Sequence, residues 1–522
     1  MKKLISLILI TILLFSLCAC ESAVTEEPTE VYEEIWEKNI INLQMREPDT
    51  LDPHLTTRQS VRDALLIVYE PLFNIDELFG LSPVLAQSYA FNENATVMTL
   101  RVKEGVLWHN GQPFTADDVV YTVNRIKENP QSSYYANLES VERVEKLSNY
   151  EIAFFLSESN ALLVYSLYFP IVRTNTDASV DMIGTGPFML KETDGKSLSL
   201  VKNGAWHLGE VGCDGVKFLY MRTGEMAQEA FSSGKIHAVT KEMLDTENFA
   251  IKESHTKHIC PDGLFEFVGF NAKQGIFSDP LLRIAASNAI DRKKIAEIYS
   301  DAIPSGFPIM PSSSAFTPSF ETTDYNLDYA KEVIFSAGWR DANYDTKLEK
   351  TTAEGISNLS FTLLATNTDT LRAQAAEEIK KHLTEAGFEV RVEVVDQQVY
   401  YERIENGEFD AFLGAVYYDD PYNMKDILSS NGRINYSFYS SSEMDFALSE
   451  FASNASYDKA TIAFSKLQSH YIAYQPVAGL VFRTTYVLTS PYVQGEVSPY
   501  PYSPYANIAK WTLTGIESDE AE

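Results

Sequence analysis

Two stretches of the chain carry a hydrophobic pattern clear enough to predict their elements. In the first, Val97-Met98-Thr99-Leu100-Arg101-Val102 reads as a strand and Asn110-Gly111 marks a tight turn. Thr115, with Asp118 three residues on, opens a helix over 116–127 whose apolar face is Val119, Val120, Val123 and Ile126. The second stretch runs from Leu359 to Pro421. Leu359 to Leu364 is an apolar strand, and Thr368 or Asp369 caps a helix running to about Glu385. Gly387 ends that helix, and Phe388 to Val394 alternates as a strand does. Asp396 caps a short helix through Ile404, and Phe409 to Val416 is the next strand. Strand, helix, strand, helix and strand with such short links predict a doubly wound α/β unit with parallel strands. Ligands lie beyond the carboxyl ends of such strands. Just past the last one come Tyr417, Tyr418, Asp419, Asp420 and Pro421, two rings and two carboxylates at a predicted cleft.

Composition narrows the function. The chain has 522 residues, 45% of them hydrophobic, enough for a large core in two or three domains and unlike a disordered chain. With 42 Lys+Arg against 73 Asp+Glu, its net charge of −31 argues against a non-specific nucleic-acid binder and against a surface lying on anionic lipid. Four cysteines exclude a disulfide scaffold. The start reads as an export signal: Lys2 and Lys3 precede an apolar run, Leu4 to Leu17, shorter than the about 20 residues that span a bilayer. The run ends in Leu17-Cys18-Ala19-Cys20, which resembles the lipobox of bacterial lipoproteins and makes Cys20 the expected lipid-bearing N-terminus after residues 1–19 are removed. Residues 20–37, Glu-rich and holding Pro28, read as an acidic tether, and 517–522 as an acidic tail.

Nine motifs in order then give a resemblance. Leu51-Asp52-Pro53-His54 comes first, followed by Tyr69-Glu70-Pro71-Leu72 with Pro83-Val84-Leu85-Ala86. Leu100-Arg101 through Trp108 to Val119 is the next, and Gly184-Thr185-Gly186-Pro187-Phe188, Ser233-Gly234-Lys235-Ile236 and Phe270-Asn271 follow. Asp279 to Arg292, with Arg283 and a helix over 285–291, then Ala330-Lys331 with Ala337-Gly338-Trp339, and Gly407-Glu408-Phe409-Asp410 complete the set. The chain resembles the family 5 extracellular solute-binding proteins, the oligopeptide, dipeptide and nickel receptors of bacterial ABC importers, over roughly residues 40–490. The resemblance implies an α/β, periplasmic-binding-protein-like two-lobed clamshell of type II, cluster C-like, with an extra inserted domain. Lobe I would combine 38–76, 188–294 and 485–516, the insert would be 77–187, and lobe III 295–484. It implies a monomeric, lipid-anchored receptor on the extracytoplasmic face of the cell membrane, not an enzyme and without a cofactor. Its partners would be a peptide, a permease and separate ATPase subunits; the alternative cargo is a sugar oligomer, a metal chelate or another small solute, and an anchored hydrolase is a remote third reading.

The candidate ligand residues are Thr57, Arg58, Phe270, Asn271, Tyr417, Tyr418, Asp419 and Asp420. Peptide-binding members hold the ligand's ammonium with an Asp at the position occupied here by Tyr417, so either Asp419 takes over or the ligand lacks that ammonium; Asp419 and Asp420 can equally cap a helix near 424–428. Rival chemistries fail on spacing. Gly195-Lys196-Ser197 lacks the Gly that a P-loop needs at position 190, which is Leu190. Ser232-Ser233-Gly234-Lys235 has the Ser-x-x-Lys spacing of penicillin-recognising enzymes without their partner motifs. His255, His258 and Cys260 lack helical ligand spacing and are expected on an exposed turn; no metal site is assigned. Cys213 and Cys260 can pair as a disulfide outside the cytoplasm, or stay free.

Overall fold

The computed structural model describes residues 39–514 except 245–248, 312, 314–324, 353–354, 419–421, 423 and 456. The expected signal segment with Cys20, the tether, the acidic tail, and Asp419 and Asp420 lie outside the described residues.

Three larger sheets organise the described residues. The first orders its strands 40–45, 215–220, 197–202, 188–193, with only the pair 40–45/215–220 parallel. The second is an antiparallel sheet ordered 86–91, 97–102, 151–156, 141–148. Against it lies the helix Ala116–Lys127, started by a capping box between Thr115 and Asp118 and burying Val119, Val123 and Ile126. Asp118 also accepts from the Trp108 indole at 3.2 Å, and Gly111, at φ +78°, closes the turn onto the Trp108 carbonyl at 2.7 Å. The motif from Trp108 to Val119 is therefore a turn and a capped helix. Gly184 and Gly186 form a tight crossing rather than a phosphate cradle: a Cβ on Gly184 would sit 1.8 Å from the Val68 carbonyl oxygen.

The third sheet contains the predicted parallel unit. Strand 360–366 lies between 389–395 and 411–417, parallel to both. Asp369 caps the helix Thr370–Ala386, Gly387 ends it at φ +111°, and Asp396 caps Gln397–Asn406. Strand 411–417 then pairs antiparallel with the long strand Thr256–Phe270, which pairs antiparallel with Val477–Thr489 and so reaches Ala238–Thr240. That last strand meets the first sheet, where the His237 N–H donates to the Asn42 carbonyl at 2.8 Å. Two crossing strands, 256–270 and 477–489, thus run from one half of the protein to the other.

One expected helix is divided. Residues 285–291 were assigned to a single helix, but Pro280–Ala289 ends at Ile290, and Asp291 caps a second helix, Arg292–Tyr299. An Asp is a better cap than interior residue, because its carboxylate takes the free N–H groups of the next turn. Both helices share a core with residues from the parallel unit, including Leu282, Ile295, Leu363, Ile379 and Leu413.

A buried ionic cluster ties this sheet to its helices. Glu266, on the first crossing strand, is fully buried. It accepts from Arg372 through Nε at 3.1 Å and Nη2 at 2.9 Å, and pairs with Arg483 of the second crossing strand at 2.6 Å. Arg483 also bonds Asp369, the helix cap, at 2.6 Å and lies 4.3 Å over the Tyr299 ring. Removing one member leaves buried charge unpaired, so Glu266→Gln should destabilise the protein by about 3–5 kcal/mol. Lys425→Ala, which breaks an exposed pair with Glu158, should cost under about 1 kcal/mol. Chemical denaturation of the two variants checks this, and equal losses would contradict it.

Candidate functional site

The pairing of strands decides which sequence candidates meet. In the antiparallel ladder Leu264 faces Tyr417 while Phe270 faces Ala411. Six positions separate the two ends, roughly 20 Å. Phe270 and Asn271 therefore lie at the opposite end of the ladder from Tyr417, which corrects their assignment to one cleft with it. Their surroundings agree. Phe270 is buried 4.6 Å from Phe277, and the Asn271 amide donates to the Gly407 and Phe409 carbonyls at 3.2 and 3.0 Å. Both residues hold a strand end in place.

Thr57 and Arg58 stand at the start of the helix Gln59–Leu65, with Arg58 as its cap residue. Thr57 donates from N and Oγ1 to Asp49, each at 2.8 Å, and Arg58 donates to the Glu47 carbonyl. Burial pushes the Asp49 carboxyl up, but the bonds from Thr56 and Thr57 outweigh it and hold it below the carboxylate range. The Leu-Asp-Pro-His motif just before them is structural. Asp52 pairs with Arg125, and His54, which burial pushes down to about 4, bonds the Pro170 carbonyl at 2.7 Å. Burial, then Asp262 and Asp63, push the Cys260 thiol up to about 12.

Beside Tyr417 the crossing strands lose register. Pro261 faces Thr484 and Phe265 faces Phe482, so Asp262, Gly263 and Leu264 bulge opposite Arg483 alone. Gly263 sits at φ +81°, a conformation that suits glycine. Its carbonyl accepts from the Tyr418 N–H at 3.2 Å. Asp262 uses one oxygen on the Leu264 N–H at 2.9 Å, and burial raises its pKa against the pull of Lys241 and Arg483. Tyr418 is buried, whereas Tyr417 is 49% exposed. The Tyr417 ring stands at 78° to Tyr502 with centroids 6.3 Å apart, and the Tyr502 hydroxyl donates to the Tyr418 carbonyl at 2.7 Å. Tyr168, from the second sheet's segment, stacks on Tyr502 at 4.9 Å. Tyr165 meets Tyr422 at 4.5 Å, and the Tyr422 hydroxyl donates to the Phe79 carbonyl at 3.1 Å.

The sequence reading missed Asp262, Gly263, Lys241, Arg483, Tyr168 and Tyr502. Two had a local signal: Asp262-Gly263 interrupts a strand as a bulge does, and Arg483 is a lone cation in an apolar run. The others arrive through long-range packing. Cys213 and Cys260 are both buried and free, so they form no disulfide: Cys213 joins a core containing Trp511, while the Cys260 thiol lies 3.9 Å from the Tyr500 carbonyl. His258 and Cys260 lie in the crossing strand and not on a turn; His258 meets the Thr489 hydroxyl at 3.1 Å and the His255 ring packs on Phe231. Among the described residues no group of three His, Cys, Asp or Glu side chains is placed to hold a metal ion. Ser233 ends a helix, donating to the Glu229 carbonyl at 2.8 Å, and Gly195 turns a hairpin.

Asp63 gives this region a pH signature. Burial, then the neighbouring Glu242 carboxylate, push its pKa from 3.8 up to about 8, against the Gln59 amide bond and the nearby Arg62. Between those values the folded chain keeps a proton that the unfolded chain releases, so this group's contribution to stability falls as pH rises. Asp63→Asn should flatten that decline and gain more stability at pH 8 than at pH 4, measured by denaturation at each pH. An equal gain at both would contradict it.

Comparison with known proteins adds the relationship. The model of the bacterial extracellular solute-binding proteins, family 5, matches residues 80–436. The oligopeptide-binding protein AppA of Bacillus subtilis (strain 168) is 25% identical over 500 residues, covering 90% of each chain. The periplasmic murein tripeptide binding protein MppA, in its unliganded open form, superposes with TM-score 0.78 at 19% identity, covering 91% of this chain and 98% of its own. NikZ from Campylobacter jejuni, in complex with Ni(L-His), gives TM-score 0.64 at 20% identity, covering 91% and 99%. The fold is the two-lobed clamshell of type II periplasmic binding proteins, with mixed α/β lobes, and the chain belongs to the bacterial extracellular solute-binding proteins of family 5.

Proposed function

We propose that this protein is the lipid-anchored receptor of an ABC importer, capturing a peptide between its lobes and delivering it to a permease driven by separate ATPase subunits. Lobe I is drawn as 39–76, 188–263 and 484–514, the insert as 77–187 and the third lobe as 264–483. The boundary moves from 294 to 263 because helices 280–289 and 292–299 share the core of the parallel unit. The observation that carries the reading is the bulge at Asp262–Leu264, which interrupts the pairing of the two crossing strands beside Tyr417. A pair of strands that yields there lets the lobes close by a hinge. The relatives' names support peptide as cargo. Nickel–histidine in one structural neighbour keeps a small chelate as the second reading. The site binds and releases; no nucleophile and base are assigned.

A thermal-shift panel separates the cargo readings. A ligand at a hundred times its Kd stabilises by about 2.7 kcal/mol. Tri- to pentapeptides should raise the unfolding midpoint, while sugar oligomers and nickel with histidine should leave it unchanged; stabilisation by either of these alone would overturn the peptide assignment. The anchor is tested in cells. Cys20→Ala should release the protein from the membrane fraction, and retention at the wild-type level would defeat the lipoprotein reading.

A further inference from the structure

The ring of Tyr417 is held in a geometry that its own strand does not require. It is the last residue of the central antiparallel–parallel strand 411–417, at the carboxyl end where ligands of such sheets sit. Nearly half of it is exposed, although its neighbour Tyr418 is buried. An aromatic ring left in water forgoes the burial that would otherwise stabilise the fold.

Its surroundings fix the geometry. The Tyr502 hydroxyl is committed to the Tyr418 carbonyl at 2.7 Å, and the Tyr502 ring is stacked on Tyr168 at 4.9 Å and 16°. Tyr502 therefore has a set orientation, and Tyr417 stands at 78° to it. Gly263 beside Tyr502 is held at φ +81°, which disfavours any other residue, and a Cβ on it would lie in ordinary contact distance, 3.4 Å, of the Tyr502 hydroxyl. Three segments far apart in the chain, around 168, 417 and 502, thus build a corner of two perpendicular rings. Farther along, Tyr422 is covered by Tyr165 and bonded to the Phe79 carbonyl, so the insert closes over this end. A preformed corner of this kind favours a flat group that stacks on one ring and meets the other at its edge, and its rigidity lowers the entropic cost of binding.

We infer that Tyr417, squared against Tyr502, stacks on a planar ring of the ligand, so that the cargo is a peptide bearing an aromatic side chain at one fixed position. The inference rests on the peptide reading given above and adds to it the class of side chain and the residue that recognises it. Tyr168 acts through Tyr502, on which it is stacked, and is a positioning residue.

The test uses four tripeptides: triglycine and the three isomers that carry one Phe and two Gly. Their Kd values are measured by calorimetry on the wild type and on Tyr417→Ala, Tyr417→Phe and Tyr417→Leu. In the wild type one isomer should bind about tenfold or more tighter than triglycine, a ratio that ring stacking supplies. Tyr417→Phe should keep that ratio, because the ring and not the hydroxyl makes the contact. Tyr417→Ala and Tyr417→Leu should reduce it to under about threefold. The Leu variant keeps side-chain bulk and covers the case in which the Ala variant folds poorly. Equal binding of all four peptides, or a Phe preference that survives in both ring-less variants, would overturn this inference and leave the peptide reading standing. Failure of every peptide to bind the wild type would overturn both.

Discussion

A fully buried carboxylate, Glu266, is the constraint on which the arrangement of the sheet and its helices turns. A charge removed from water persists only when it is paired and hydrogen-bonded. Arg372 and Arg483 supply that pairing from opposite directions, one from the first turn of a helix and the other from the second crossing strand. Asp369 closes the set by capping that helix and bonding Arg483 at once. The four side chains fix the two crossing strands to the parallel unit at one level. The register slips on both sides of that level, at Asp262–Leu264 and again between Glu266 and Phe267.

Residues 77–187, proposed as an insert, take part in the same region. Asp52 and His54 join Arg125 and the Pro170 carbonyl in a compact set of polar contacts, which ties residues 77–187 to the segment before them. Nearby, Tyr168, linked to His54 through Tyr134, packs against Tyr502, and Tyr165 packs against Tyr422. Tyr418 thus meets the crossing strands and the C-terminal Tyr502, and Tyr422 meets Tyr165 and the Phe79 carbonyl. A site assembled from so many parts of the chain gains its specificity from how those parts are held, more than from any single motif.

What the sequence made legible was local. The caps at Thr115, Asp369 and Asp396 and the left-handed Gly387 marked helix ends, because a cap acts within one turn of its own residue. The parallel unit followed from those ends and from short links. Cap chemistry at Asp291 was equally local, yet the apolar pattern on both sides of it read as one helix. The failures were long-range. Motif order placed Phe270 and Asn271 near Tyr417, but the direction of an antiparallel strand is set by its partner, and it sends them to the other end. Arg483 meets Glu266 across more than 200 residues, and no periodicity encodes that pairing. The relation of Cys213 to Cys260 likewise depends on packing that neither cysteine's neighbours reveal.

The central claim, closure of two lobes about the bulge at Asp262–Leu264, is tested most directly by the distance between them in solution. Spin labels placed at the exposed positions Glu192 and Lys381, in a chain with Cys18 and Cys20 replaced by Ser, report on the proposed first and third lobes, since the native Cys213 and Cys260 are buried and do not compete for label. A second pair at Lys381 and Glu332 reports within the third lobe. On addition of a binding peptide, the first distance should shorten and the second should stay constant. An unchanged first distance at saturating peptide, or an equal change in both, would contradict the account.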